Sequence, residues 1–465
     1  MNKRGPIWSE STVNLYSLLL NYGGPVAVDL MRRNLGGPSL SRVYLQARQI
    51  IPIETSLTKT SFRNAAEFYK KVCKDVDIKS IIFTIAVHAT PVLPLIRAKG
   101  NKLLGFATNK DIIVQSAEDV IQVFKDVSLP RAQQTYVFAL VPLRSDIPYC
   151  ILAAPTVVKG ENQGTALNWL IKSKEWGQQY NLNIYGLGAD GDSKIRSFYV
   201  HRYLKDHGCN DFTIDRHDFT FSLPQNQLDS IDCPFPDPRH LLKKWRNQLL
   251  NIRRLLVMGD HLVQLEHLME LANIEELKHT LGLWKTDIRV NDKQNVNAAI
   301  RLFNPNVQSH LKEYGGDKYA GTIVYLHLGQ ILNEIYFNKE LSIRKRIKFS
   351  WTLVQFCRLW KTCIVLSKYK TDKTFISDQT YNDVIIAGHS FILMTKLHFL
   401  HHKNQPFEPW TWGSNSCEDI FSKSRCFIRT KNNFCYAEFL DICRRIQKVT
   451  ETECDFNKSS KKKYF

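Results

Sequence analysis

The stretch that most constrains this chain is Asn183-Ile184-Tyr185-Gly186-Leu187-Gly188-Ala189-Asp190-Gly191-Asp192-Ser193. An apolar run of strand length ends on two carboxylates, with Gly191 between them to open a turn and Ser193 placed to cap a following helix. At the carboxyl end of a strand in an open α/β sheet, side chains face a crevice between diverging connections, where such sheets bind ligands and metals. Asp190 and Asp192 lie two apart, so in extended chain both point to one side. A solvated acidic turn that caps a helix has the same pattern, and the neighbouring segments must decide between the two.

The segments before it supply a sheet. Ile81, Ile82, Phe83, Thr84, Ile85, Ala86 and Val87 form a β-rich run suited to a central strand buried on both faces. Leu103 to Ala107 reads as a second strand and Gln134 to Val141 as a third, and Thr165 to Tyr180 carries Leu167, Leu170, Ile171 and Trp176 at helical spacing. Three strands, a helix, a strand ending at Asp190 and another helix is the order of an α/β ribonuclease-H-like core with a mixed sheet. Such folds gather acidic side chains around two metal ions that activate the attacking oxygen and stabilise the leaving one. Ahead of the sheet, short helical patterns between residues 8 and 48 break at Gly24-Pro25 and Gly37-Pro38, and Ser39 marks a helix start. A helix-turn-helix-like unit and a plain helical hairpin packed on the next domain fit this equally. Residues 62 to 76 read as one more amphipathic helix.

From Asp237 to about Phe399 the pattern is almost wholly helical. Leu241, Leu242, Trp245, Leu249 and Ile252 form one apolar stripe. Lys243, Lys244, Arg246, Arg253 and Arg254 add positive charge that either meets DNA or faces solvent. Trp410 to Asn415 breaks the run, and Ser416 to Arg425 opens a helix with Glu418 in its first turn, where the helix dipole favours a carboxylate. The end, with Lys458, Lys461, Lys462 and Lys463, reads as a disordered basic tail, either nuclear-targeting or solvating. The expected division is a helical unit at 1–60, an α/β core at 61–236 and 406–450, a large all-α insertion at 237–405, and the tail at 451–465.

Charge bounds the partners. Sixty-three Lys plus Arg against 44 Asp plus Glu leave a formal charge of +19 over 465 residues, which points to a polyanion, nucleic acid first. Charge by itself leaves an anionic membrane surface open. Met1 to Pro6 has no apolar signal core, and no uninterrupted apolar run approaches the roughly 18 residues of a spanning helix, so an intracellular, nuclear protein without a membrane partner is expected. The 11 cysteines are scattered singly, which supports neither a disulfide framework nor a zinc site of standard spacing.

Several of these stretches together resemble the P-element-type transposases and the host proteins descended from them, including those with a THAP zinc finger. The resemblance rests on the Gly188-Ala189-Asp190-Gly191-Asp192-Ser193 turn, the Asp237 to Lys243 and Trp245-Arg246-Asn247 segments, the Asn295 to Arg301 helix and the Ser416 to Phe421 helix start, in that order over residues 8 to 445. It implies that the all-α block interrupts a ribonuclease-H-like core. It also implies DNA as partner, either transposon ends or host DNA, self-association into a homo-oligomer, and Mg²⁺ or Mn²⁺ as cofactor of DNA cleavage and strand transfer. Asp190 and Glu418 match the second and third catalytic carboxylates, with Asp192 and Asp237 as further candidates. GTP on the insertion is implied as well, although no Gly-rich phosphate loop with a Lys occurs there.

Two features depart from the family. On the first strand the expected aspartate is His88, and an imidazole brings no negative charge to two divalent ions and prefers softer metals than Mg²⁺. Strand cleavage is therefore expected to be strongly reduced or absent, with His88 read as a satisfied core residue rather than a ligand. No Cys/His spacing of a THAP finger precedes the helical unit. Two functions fit: a transposase-derived DNA-binding protein with an impaired site, or a non-catalytic domesticated DNA-binding or scaffold protein that keeps only the fold.

Overall fold

The structure is a computed structural model that describes residues 7–461 apart from 49–51, 75, 109, 159–162, 190–195, 198, 201–208, 215–218, 225–232, 290–291 and 429–432. The chain forms two compact units, Met1–Tyr185 with Ser414–Phe465, and Gly186–Gly413.

In the first unit, helix α1 (Glu10–Leu35) starts at Ser9, whose Oγ accepts from the Thr12 amide at 3.2 Å, and kinks at Gly24, where φ is 78°. Pro25 follows the kink and has no amide to continue the ladder. Helix α2 (Leu40–Arg48) folds back on α1 around Tyr16, Leu20, Val28 and Val43. Helix α3 (Lys59–Val72) then leads to the strands β1 (Ile82–Pro91), β2 (Arg97–Lys99), β3 (Lys102–Leu104), β4 (Ile112–Ile113), β5 (Gln134–Pro142), β6 (Cys150–Ala153) and β7 (Asn183–Ala189). Helix α4 (Ala117–Lys125) follows β4, and helix α5 (Gln163–Gln179) precedes β7. Strands β8 (Cys209–Ile214), β9 (Phe219–Pro224) and β10 (Cys233–Pro236) follow in the second unit, and the main sheet runs β10-β7-β1-β5-β6.

That sheet is mixed. Strand β1 is antiparallel to β5, from Phe83 opposite Pro142 to Pro91 opposite Gln134, whereas β7 and β10 are parallel. Gly186 permits the close approach of β7 and β10, because a Cβ there would lie 1.9 Å from the Cys233 carbonyl oxygen. The sequence placed the second strand at Leu103 to Ala107; the structure instead puts Lys102–Leu104 in a separate three-stranded sheet with β2 and β4. Gly105 turns the chain there with φ at +116°, a region that side chains with a Cβ rarely adopt. The third strand of the main sheet is β6, whose four residues are too few to show a period.

Both faces of the sheet are covered. Ala86, Val137, Ala139 and Ile151 pack against Cys417, Ile420 and Phe421 of helix α13 (Asn415–Phe427) and Phe439 and Leu440 of helix α14 (Tyr436–Lys461). On the other face Tyr69 of α3 tilts onto Phe83 at 4.8 Å, and Trp169 of α5 meets Tyr136 and Phe138 edge-on at 5.2 and 5.0 Å. The Tyr69 hydroxyl donates to the Leu140 carbonyl at 2.9 Å, so the one polar atom of that ring is satisfied. Helix α14 also overturns the disordered tail expected from 451, since it continues to Lys461. Val449, Glu451 and Thr452 are buried, and Glu451 pairs with Lys71, so packing holds the segment in register.

Among its described residues the second unit is mainly helical, with strands at the end of β7, at β8, β9 and β10, and in a short hairpin at Leu256–Met258 and His261–Val263. Among the described residues its helices of seven or more residues are α6 (Pro238–Leu249), α7 (Leu265–Ala272), α8 (Val296–Leu302), α9 (Pro305–Gly315), α10 (Ala320–Phe337), α11 (Ile343–Leu366) and α12 (Asp378–His401). Leu241, Leu242, Trp245 and Leu249 are buried along α6, but the helix ends at Leu249 and leaves Ile252, expected on the same stripe, 87% exposed. Trp245 stacks on Tyr325 at 5.1 Å, and each donates to the other's carbonyl, at 3.4 and 2.6 Å. By length and composition α12 could cross a membrane, yet 83% of its most apolar window is buried within the protein.

His389 lies inside α12, and its Nε2 accepts from the Arg358 guanidinium at 3.0 Å. Burial and then that cation push its pKa down to about 3. The folded state holds the imidazole neutral while the unfolded chain protonates it near pH 6.5, so stability is intact above pH 6.5 and declines as pH falls toward 3. Unfolding midpoints in denaturant should fall as pH drops from 6.5 toward 4, with part of that fall coming from this group. A His389→Leu variant should show a measurably flatter profile between pH 6.5 and 4.

Candidate functional site

The site is built on β1 and on the start of α13. Period-two alternation along β1 places Thr84, Ala86 and His88 on one face, and α13 lies across that face and across β5. Cys417 and Phe421 anchor the helix in the core, with the Cys417 thiol donating to the Val137 carbonyl at 3.7 Å. Glu418, next to the buried Cys417, is thereby turned toward the strand. Its Oε1 lies 3.1 Å from His88 Nε2. An ionised carboxylate only accepts, so the imidazole N–H donates. The His88 side chain is 19% exposed and that of Glu418 46%, which makes the pair an accessible one. His88 is thus not the enclosed core residue expected from the sequence. The Phe421 ring closes its other side edge-on at 5.3 Å. Sequence reasoning passed over Phe421, although its place three residues after Glu418 puts both on one helix face.

The remaining expected residues separate. Asp190 and Asp192 fall outside the described residues. Asp237 caps α6: its Oδ1 accepts from the amides of Arg239 at 2.8 Å and His240 at 3.0 Å, and the residue is 2% exposed. Among the described residues no group of three or more His, Cys, Asp and Glu side chains gathers as metal ligands would. A cavity of about 840 Å³ in the first unit is lined by Gly24, Pro25, Arg48, Phe427, Arg444 and Arg445, away from His88 and Glu418.

The five cations expected at a DNA surface differ in what they do. Arg246 is fully buried, and its guanidinium donates to the carbonyls of Asp287 at 3.0 and 2.5 Å and Asp292 at 2.7 Å. Burial lowers its pKa, and a cation so enclosed cannot reach a phosphate. This corrects its assignment to DNA. The cause is the helical period, which puts Arg246 beside Trp245 on the inward side of α6. Lys244 is half-buried and pairs with Asp383 at 2.7 Å, and Arg254 donates to the Phe375 carbonyl at 2.8 Å. Lys243 reaches Gln294 at 3.2 Å. Arg253 is exposed in the loop after α6.

No protein-family model matches the chain, and no curated protein sequence matches it. Among solved structures, a chain of a Drosophila P element transposase strand transfer complex superposes with a TM-score of 0.66, over 97% of this chain and 95% of that one, at 12% sequence identity. The mixed sheet, the helical second unit and this agreement over nearly the whole length define a transposase-like fold.

The roles of the cations on α6 are separable by stability. Arg246→Met should destabilise the protein by about 3 kcal/mol, because carbonyl oxygens of Asp287 and Asp292 lose their donors in the core. Lys243→Met should change stability by less than about 0.5 kcal/mol in the same denaturant titration.

Proposed function

We propose that this chain is a DNA-binding protein of the P-element transposase type in which the site for strand cleavage and transfer is disarmed. Three observations support it: the transposase-like fold over nearly the whole chain, the charge of +19, and the pairing of His88 with Glu418. The last carries the most weight. His88 stands where the resemblance puts the first carboxylate, and Glu418 where it puts the last.

A pair of Mg²⁺ ions brings about four positive charges within a few Å and needs several anionic oxygen donors in near-octahedral geometry. Among the described residues His88 and Glu418 offer one carboxylate and one imidazole, and the carboxylate oxygen nearest the strand already accepts from His88. These residues do not fit such a pair of ions. What they can do is hold each other: the imidazole N–H donates to Glu418 and fixes it against β1. In this reading the chain acts in the nucleus by binding DNA, and self-association follows from holding two DNA ends.

The reading is tested by incubating labelled duplex DNA with the protein in Mg²⁺ and in Mn²⁺. The unaltered chain should bind and leave both strands whole. His88→Asp, which restores an acidic residue on β1, should gain cleavage, and adding Asp190→Asn or Glu418→Gln should abolish it. Cleavage by the unaltered chain that survives Asp190→Asn would sink the proposal. Binding without cleavage in every variant would favour a scaffold that keeps only the fold.

A further inference from the structure

In the second unit, the turn after α6 and the segment after α11, which ends in a single helical turn at Thr371–Thr374, come together. The turn after α6 carries Ile252, Arg253 and Arg254, and the segment after α11 runs Ser367-Lys368-Tyr369-Lys370-Thr371-Asp372-Lys373. They are joined by backbone: the Leu255 amide donates to the Lys373 carbonyl at 2.8 Å, and Arg254 ties to the Phe375 carbonyl at 2.8 Å. Arg253 lies two residues from the first of these bonds, so its backbone is within about 7 Å of it. Arg253, Lys368, Lys370 and Lys373 are all exposed, and Tyr369 is 51% exposed between two of the lysines.

Three features separate this patch from an ordinary solvated face. First, its charge is one-sided: Asp372 is the one acid in the segment from Ser367 to Lys373. Secondly, Asp378, at the start of α12, pairs with Lys361 at 3.2 Å and so with none of the cations of the two segments. Thirdly, large apolar side chains stand in water beside the cations, with Ile252 at 87% and Leu366 at 75% exposure. Lys368 holds a left-handed conformation, φ 58°, which is uncommon for a residue with a Cβ. The turn is fixed through it by backbone bonds from Lys368 to Val365 and from Tyr369 to Ile364, at 3.0 and 3.1 Å.

From this arrangement we infer that Arg253, Lys368, Lys370 and Lys373 form a contact surface for the phosphodiester backbone of DNA, with Tyr369 and the exposed aliphatic groups against the sugars. Cations held on a rigid turn contact phosphates and so position a protein on DNA without reading its sequence. The loop lies outside the apolar helical pattern and outside α6, where the cations are mostly spent on Asp383, Gln294 and core carbonyls. The inference rests on the DNA-binding function proposed above and assigns it a place.

The test measures affinity of the full chain for a labelled random-sequence duplex across a series of salt concentrations. Each phosphate contact contributes about 0.9 to the slope of log affinity against log salt. The triple variant Lys368→Ala, Lys370→Ala, Lys373→Ala should lower that slope by about 2 to 3 and weaken binding at least about tenfold near physiological salt. The corresponding triple Lys→Arg variant should keep both. If the full chain binds with a steep slope that the alanine variant leaves unchanged, the patch is wrong while DNA binding stands. Failure of the full chain to bind duplex at all would remove both readings. A loss shared by the arginine variant, which keeps the charge, would overturn the phosphate contacts. Displacement of the duplex by polyglutamate at equal charge would assign the patch to acidic partners in general.

Discussion

The interaction on which the rest depends is the antiparallel pairing of β1 with β5, a ladder that keeps register from Phe83 to Pro91. It is buried on both sides, by α3 and α5 on one face and by α13 and α14 on the other. In such a ladder a slip of one residue would exchange Phe83, Ile85 and Val87 with Ala86 and His88. Large side chains would then meet α13, where Ala86 leaves room for Cys417 and Ile420. The register therefore fixes how near α13 lies to the strand, and with it the 3.1 Å between His88 and Glu418.

That distance gives the site its character. A carboxylate on each element would repel across such a gap unless cations lay between them. A histidine turns the same geometry into a hydrogen bond between strand and helix. In the proposed reading the fold thus retains the frame of a phosphoryl-transfer centre while its side chains satisfy one another. Burial elsewhere shows the same economy with cations. Arg246 and Arg346, both buried, donate to backbone carbonyls, and Arg301 grips Asp287 with two contacts at 2.8 and 2.6 Å. These three arginines are therefore committed to the fold rather than to a partner.

Much of the architecture could be read from residue order. The period-two and continuous apolar runs marked β1, β5 and β7, and the 3.6-residue period marked α5 and α6. Ser39 and Asn295 both start helices as their side chains suggest, with Asn295 accepting from the Ala298 amide at 3.0 Å. The break at Gly24-Pro25 survives as a kink inside one long helix rather than as a loop. The third sheet strand was not legible, because Cys150–Ala153 is too short to show a period and Leu103-Leu104 offered a stronger run. Nor was the burial of α14 beyond residue 450, since its helical pattern there fades into lysines.

By itself the sequence determined where β1, β5, β7 and the longer helices lie, that a carboxylate would sit in the first turn of α13, and that a histidine would stand on β1 where a transposase resemblance puts an acid. These follow from local spacing and from the chemistry of single side chains. Only the tertiary structure decided what those side chains meet. Whether His88 is enclosed or faces Glu418, whether Arg246 reaches outward or into the core, and which lysines remain for a partner all depend on residues distant in the chain. Periodicity reports that a side chain is on one face of its own element, but the partner of that face, and so the field and the solvent around it, is set by packing.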